Sequence, residues 1–143
     1  MDNLIITICA RAGSKGIPGK NRREINGRPL ATYTVNIALR FARITGAHVA
    51  LSTDSDEVKA IAAALGLHTN YIRPAELSAD TTGKIDTIRD LIMFEEKSKG
   101  VKYDYVLDLD VTSPLRTIAD LSDAFEAIKN DAEALNIFSV SKP

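Results

Sequence analysis

Hydrophobic and polar positions along this chain follow two rhythms in alternation. Short continuous apolar runs are separated by longer stretches with apolar residues every third or fourth position. Leu4-Ile5-Ile6-Thr7-Ile8 predicts a strand buried on both faces. After Pro29, whose missing N–H is harmless at a helix start, Leu30, Tyr33, Thr34, Ile37, Ala38 and Phe41 share one helical face, and Gly46 closes the unit. His48 to Ser52 predicts a second strand. Asp54 or Ser55 caps the next helix, with Val58, Ile61, Ala62 and Leu65 inward and Gly66 as its stop. Residues 68–72 predict a short third strand, and a polar, turn-rich connection runs from Arg73 to Gly83. Ile85, Ile88, Leu91, Ile92 and Glu95 mark a helix to about Ser98. Tyr105 to Asp110 predicts a central strand ending in carboxylates. Ile118, Leu121, Ala124, Phe125 and Ile128 mark another helix, and Leu135 to Val140 a last strand.

Alternating β and α elements predict a Rossmann-like, three-layer α/β/α fold with a mostly parallel sheet and helices on both faces. Ligands of such sheets bind beyond the carboxyl ends of the strands. The loop after strand one, Ser52-Thr53-Asp54 after strand two, and Asp110 all fall on that edge. Val106, Asp108 and Asp110 point to one face of their strand. A carboxylate at the end of a central strand, facing phosphates, is a natural Mg²⁺ ligand. Asp110 is therefore the candidate metal ligand, against a solvated strand-end carboxylate; Asp108 reads as structural. Ser52, Thr53 and Asp54 read as capping and loop-shaping groups, and His48 and His68 as structural.

The loop from Cys9 to Asn21 carries Gly13, Gly16 and Gly19 with Arg11, Lys15 and Lys20. Glycines admit close backbone approach to a ligand, and exposed N–H groups beside cations make an anion cradle. Its spacing fits neither common phosphate fingerprint. Five residues separate Gly13 from Gly19, and Asn21 rather than Ser or Thr follows Lys20, so the P-loop pattern fails. The glycines fall three apart, so the dinucleotide pattern fails too. The alternative is a basic surface loop with no ligand.

Arg11-Ala12-Gly13-Ser14-Lys15-Gly16-Ile17-Pro18-Gly19-Lys20-Asn21 resembles the A-R-G-G-S-K-G-x-x-x-K-N signature of the nonulosonic-acid cytidylyltransferases, which activate sialic acid and its bacterial relatives with CTP. Ser52-Thr53-Asp54-Ser55-Asp56-Glu57, Arg73-Pro74-Ala75-Glu76-Leu77-Ser78-Ala79-Asp80 and Thr112-Ser113-Pro114-Leu115-Arg116 are similar to further motifs of that family, in the same order. The resemblance implies a nucleotide-diphospho-sugar transferase-like fold. It also implies CTP and an acidic nine-carbon sugar as substrates, Mg²⁺ as cofactor, and a homodimer in the full-length enzyme. The implied nucleotide-binding set is Ala10, Arg11, Ala12, Gly13, Ser14, Lys15, Lys20, Asn21, Arg73, Thr82, Lys84 and Asp110. Arg11 and Lys20 are the implied catalytic cations, Lys20 near the α-phosphate and Arg11 at the β and γ groups. Arg116 would bind the sugar carboxylate. Alternatives stay open at three positions: Lys15 as a solvated side chain, Arg73 as a surface ion pair, and the Arg116 turn as a helix entry capped by Thr117.

Ala12 replaces the usual family glycine, and where the sialic-acid members carry a hydroxyl residue and a glutamine this chain has Lys84 and Asp110. Lys84 and Leu-Asp-Leu-Asp are more similar to the legionaminic-acid branch. Enzymes of this family are longer, so residues 1–143 are expected to be one nucleotide-binding domain, incomplete at its C-terminal side. The competing expectations are another sugar nucleotidyltransferase, or a nucleotide-binding module without catalysis.

Composition narrows the partners. The 143 residues are 45% hydrophobic and 26% charged, ordinary for a globular domain with a real core. Eighteen Lys and Arg against 19 Asp and Glu leave a net charge of −1, so nothing global attracts nucleic acid or an anionic membrane. One cysteine excludes an internal disulfide, and Cys9 reads as a small buried residue. No apolar run approaches transmembrane length, and the start lacks a signal-peptide layout; the expected location is the cytoplasm.

Overall fold

The computed structural model describes residues 2–14 and 16–143. Strand β1 (Leu4–Cys9) is flanked by β4 (His48–Ser52) and β5 (Tyr105–Asp108), both parallel to it. The register runs from Ile5 opposite His48 to Cys9 opposite Ser52, and from Leu4 opposite Tyr105 to Thr7 opposite Asp108. Helix α1 (Leu30–Thr45) connects β1 to β4, α2 (Asp56–Ala64) follows β4, α3 (Lys84–Lys99) leads into β5, and α4 (Ile118–Asn130) follows it.

Side-chain alternation along β1 divides the molecule into layers. Leu4, Ile6 and Ile8 meet α1, α2 and α4 through Val35, Phe41, Val58, Ala62 and Leu121. Ile5 faces the other way, toward Ala50, Tyr71 and Leu91 of α3. β1 has no solvent side, which is why its apolar run is unbroken. The helices thus cover both faces of a parallel sheet, as the alternation of patterns requires.

The helix ends follow local chemistry. Gly46 closes α1 in the left-handed region at φ 75°, and its N–H bonds the Ala42 carbonyl at 2.8 Å. Ser55 caps α2 by accepting the Val58 N–H at 3.2 Å. Thr117 and Asp120 form a reciprocal capping box on α4.

Four expected elements differ. Residues 68–72 are not a strand: Thr69 Oγ1 donates to the Leu51 carbonyl at 3.3 Å and accepts the Tyr71 N–H at 3.1 Å. That side-chain bonding replaces a backbone ladder at the β4 edge. The stretch Leu135–Val140 is exposed and outside any strand, because no neighbouring strand pairs with it among the described residues. β5 ends at Asp108, two residues early, where Asp110 turns to accept the Thr112 N–H at 3.2 Å. Ile85 is 65% exposed at the start of α3, whose inward stripe is Thr87, Leu91 and Glu95. A small hairpin of β2 (Glu24–Ile25) and β3 (Arg28–Pro29) also stands before α1. Its turn, Asn26 at φ 53° and Gly27 at φ 77°, is the Asn-Gly pair that two-residue hairpins favour.

Leu91 is fully buried in the smaller core between α3 and the sheet. Leu91→Ala is expected to cost about 2–5 kcal/mol, read as a lower urea midpoint at unchanged slope.

Candidate active site

Strand order β4-β1-β5 means that the chain leaves β1 to one side and returns past it to the other. The crevice of an open α/β sheet lies where the order reverses, here beyond the carboxyl ends of β1 and β5. A cleft of about 270 Å³ opens at that place. Arg11, Gly13, Ser14, Lys20 and Asn21 line one wall, Arg73, Asp80, Thr82 and Lys84 another, and Asp110 and Thr112 the floor beside Cys9.

The loop after β1 is tied at both ends. Ala10 is buried and its N–H bonds the Ser52 carbonyl at 2.9 Å. The Ala12 N–H bonds Asp54 Oδ1 at 2.6 Å, and the Asn21 side-chain amide donates to the Arg11 carbonyl at 2.9 Å. Asp54 is thus the loop-shaping group, and Ser55 the helix cap. A Cβ at Gly13 or Gly16 would meet no atom within 4 Å, so space for a ligand stands beside this backbone. Gly19 is constrained instead: at φ 62° it leads into a short 3₁₀ turn, Lys20–Arg22. Lys15 lies outside the described residues.

Internal carboxylates and carbonyls hold three of the cleft's cations. Arg11 Nη1 bonds Asp80 Oδ1 at 2.5 Å. Arg73 donates from Nε and Nη2 to the Leu77 carbonyl, at 3.2 and 2.7 Å. Lys84 Nζ lies 2.7 Å from Asp108 Oδ2 and 3.3 Å from Asp110 Oδ2. The other oxygens of these two carboxylates are taken: Thr7 Oγ1 donates to Asp108 Oδ1 at 2.8 Å, and Thr112 Oγ1 to Asp110 Oδ1 at 2.9 Å. Two oxygens are thereby aimed at one ammonium. Lys20 also lines the cleft, with no side-chain partner among the described residues.

The charges follow. Burial works against the Asp110 carboxylate, but the Thr112 amide and hydroxyl and the Lys84 ammonium outweigh it and hold its pKa below the ordinary value. Burial likewise opposes the Lys84 charge, and Asp108 with Asp110 overcomes it, so its pKa is raised. Cys9 is pushed up to about 12 by burial and by Asp108. Its thiol is protonated at neutral pH and is no nucleophile.

Some residues lay beyond sequence reasoning. Asp80 pairs with Arg11 from 69 residues away, and Thr7 fixes Asp108 from 101 away; no local pattern marks either contact. Arg116 does not line the cleft, and its Nη1 is buried without a hydrogen-bond partner. Among the described residues no cluster of three or more His, Cys, Asp or Glu could hold a metal by itself.

A cleft lined by Arg11, Lys20, Arg73 and Lys84 at the carboxyl edge of a parallel sheet places the protein among the open-sheet α/β domains with a crevice at the switch point. More narrowly, the chain belongs to the cytidylyltransferase family, whose model matches residues 5–142. It is 38% identical over 126 residues to post-translational flagellin modification protein B of Campylobacter coli, covering 88% of this chain and 53% of that one. It is 35% identical over 114 residues to a CMP-N,N'-diacetyllegionaminic acid synthase of Campylobacter jejuni, covering 80% and 48%. An N-acylneuraminate cytidylyltransferase of Streptococcus agalactiae is 33% identical over 122 residues, with 85% and 28% covered. Among solved structures, CMP:2-keto-3-deoxy-manno-octonic acid synthetase complexed with CTP superposes with a TM-score of 0.71 at 21% identity, over 92% of this chain and 49% of that one. That likeness concerns the fold. The chain spans about half the length of the first curated relatives it matches.

Two outcomes are expected. Cys9 in the native protein resists iodoacetamide at pH 8 and reacts fully in urea, as mass spectrometry will read. Asp110 ionisation stabilises the fold above the ordinary carboxylate pKa near ~4, and that contribution is lost as pH falls through the depressed folded value. Lys84→Met removes one cause of the depression, so the Asp110 carboxyl midpoint in a ¹³C NMR titration moves upward.

Proposed function

We propose that this chain is the nucleotide-binding part of a CTP:nonulosonate cytidylyltransferase, which transfers CMP to a nine-carbon keto-acid sugar. The observation that carries the reading is the convergence of Arg11, Lys20, Asn21, Arg73 and Lys84 on one cleft at the sheet's switch point. In the reaction, the anomeric hydroxyl oxygen of the sugar attacks the α-phosphorus of CTP. The bond from that phosphorus to the bridging oxygen breaks, pyrophosphate departs with the electron pair, and the hydroxyl proton passes to solvent. Such a transfer depends on alignment and on neutralising charge.

Lys20, whose side chain has no partner among the described residues, is the cation available to the α-phosphate. Arg11 offers forked donors to the β and γ groups, and Arg73, Thr82 and Lys84 close the opposite wall. The backbone of Gly13 and Ser14 completes the cradle, behind the buried Ala10. Arg116 is assigned to the sugar carboxylate on its place in the Thr112-Ser113-Pro114-Leu115-Arg116 motif.

The residues fit Mg²⁺. Asp108 and Asp110 turn one oxygen each toward a shared cation, and hard oxygen donors completed by phosphate and water are this ion's usual shell. Asp110 would hold it, and the ion would neutralise the triphosphate. The names of the relatives support sugars of the legionaminic, neuraminic and pseudaminic type. The Lys84 and Leu-Asp-Leu-Asp departures favour the legionaminic branch. We assign the parent enzyme a homodimeric state. A reaction that consumes CTP belongs where nucleoside triphosphates are made, in the cytoplasm.

Calorimetry with CTP, GTP, UTP and ATP is expected to give preferential CTP binding. Lys20→Ala should weaken CTP by at least roughly tenfold, about 1.4 kcal/mol, at unchanged melting temperature. Equal binding of all four nucleotides, or unchanged CTP affinity in the variant, would refute the reading.

A further inference from the structure

We propose that Thr7 is a positioning residue of the nucleotide site. Acting through Asp108, its hydroxyl holds the Lys84 ammonium in place for CTP. The inference rests on the reading of Lys84 as a nucleotide-binding group.

Thr7 differs in kind from its neighbours. β1 runs Leu4-Ile5-Ile6-Thr7-Ile8-Cys9, and Thr7 in its midst is fully buried. A valine would fill the same space with no hydroxyl to satisfy. The hydroxyl reaches across to its register partner on β5: Oγ1 donates to Asp108 Oδ1 at 2.8 Å. Asp108 Oδ2 then meets Lys84 Nζ at 2.7 Å. The terminal torsion of an aspartate is broad, without sharp staggered wells. A hydroxyl bonded to one oxygen removes that freedom and fixes where the other points. Asp110 is treated alike: Thr112 Oγ1 donates to its Oδ1 at 2.9 Å, and Oδ2 lies 3.3 Å from Lys84.

Lys84 needs such holding. It is the first residue of α3, where Gly83 supplies no side-chain cap, and a cation there faces the positive end of the helix dipole. Its four-carbon stem is flexible. An ammonium has three donors. Two face Asp108 and Asp110. The side chain is 43% exposed where it lines the cleft, so the third is open to a nucleotide oxygen. Lys84 keeps both carboxylates as CTP binds, and no ion pair has to break. A lysine ordered before the ligand arrives loses less rotamer entropy on binding. Thr7 thus serves the site from inside the sheet, without touching the cleft.

Calorimetry of the full chain with CTP, without divalent ions, tests this together with the ¹H–¹⁵N NMR signals of the lysine ammonium groups. The proteins are wild type, Thr7→Val, Thr7→Ser, Thr7→Ala, Lys84→Met and the Thr7→Val/Lys84→Met double variant. Thr7→Val keeps the shape and every charge. It is expected to weaken CTP about fivefold and to lose the slowly exchanging Lys84 ammonium signal. Thr7→Ser keeps the hydroxyl and should stay within about twofold of wild type, signal retained. Thr7→Ala against Thr7→Ser repeats the comparison if the valine variant fails to fold. In the Lys84→Met background Thr7→Val should have no further effect. The proposal is overturned if loss of the hydroxyl leaves CTP affinity unchanged, if the serine variant weakens as much as its hydroxyl-free counterpart, or if the loss persists without Lys84. A loss in Lys84→Met with none in Thr7→Val removes this inference alone. CTP binding at wild-type strength in Lys84→Met removes the Lys84 assignment with it, and no CTP binding by the wild type removes the nucleotide reading as well.

Discussion

Burial of β1 on both faces and along both edges is the constraint on which the rest depends. A strand with helices above and below and a parallel neighbour on each side has no freedom in register or tilt. A slip of one residue would send Ile6 and Ile8 to the α3 side and Ile5 to the other. The segment that leaves its carboxyl end therefore starts from a fixed point and a fixed direction. The loop of Arg11 to Asn21 is long and glycine-bearing, yet the point it starts from is set by Ile5, Ile6 and Ile8, none of which lines the cleft.

Electrostatics supply the second layer of organisation. The cleft gathers cations from segments far apart in the chain, and nearly every one is already answered. Arg11 has Asp80, Lys84 has two aspartates, and Arg73 has a backbone carbonyl. Unanswered cations at one cleft would repel one another and strain the loops that carry them. Paired, they keep the free protein compact and leave Lys20 as the cleft cation with no side-chain partner among the described residues. A chain with net charge −1 thus gathers Arg11, Lys20, Arg73 and Lys84 at one cleft.

The apolar rhythm of the chain carried most of the fold and part of the site. Helices α1 to α4 and strands β1, β4 and β5 are legible because each buries a face, and burial imposes its period on the sequence. Two features defeated that logic. Residues 68–72 follow a helix stop as a strand would, but a threonine hydroxyl bonds the Leu51 carbonyl at the sheet edge instead. Thr87, polar by type, lies on the buried stripe of α3 with Leu91 and the expected Glu95, where Ile85 does not, since packing against the sheet rather than hydropathy set its rotation. Asn26-Gly27 was a readable hairpin signal, masked by the louder glycine loop before it.

What the sequence determined by itself is therefore local: which segments are buried, where helices start and stop, and which residue types could meet an anion. Loop composition and strand periodicity are written in neighbouring residues, so a reader of neighbours recovers them. Which acid answers which base was decided only in three dimensions. Arg11 with Asp80, Lys84 with Asp108 and Asp110, and Thr7 with Asp108 join residues that the parallel crossovers bring together. Coulomb attraction and hydrogen bonding act over a few ångströms of space whatever the separation along the chain, and only the folded sheet sets those distances.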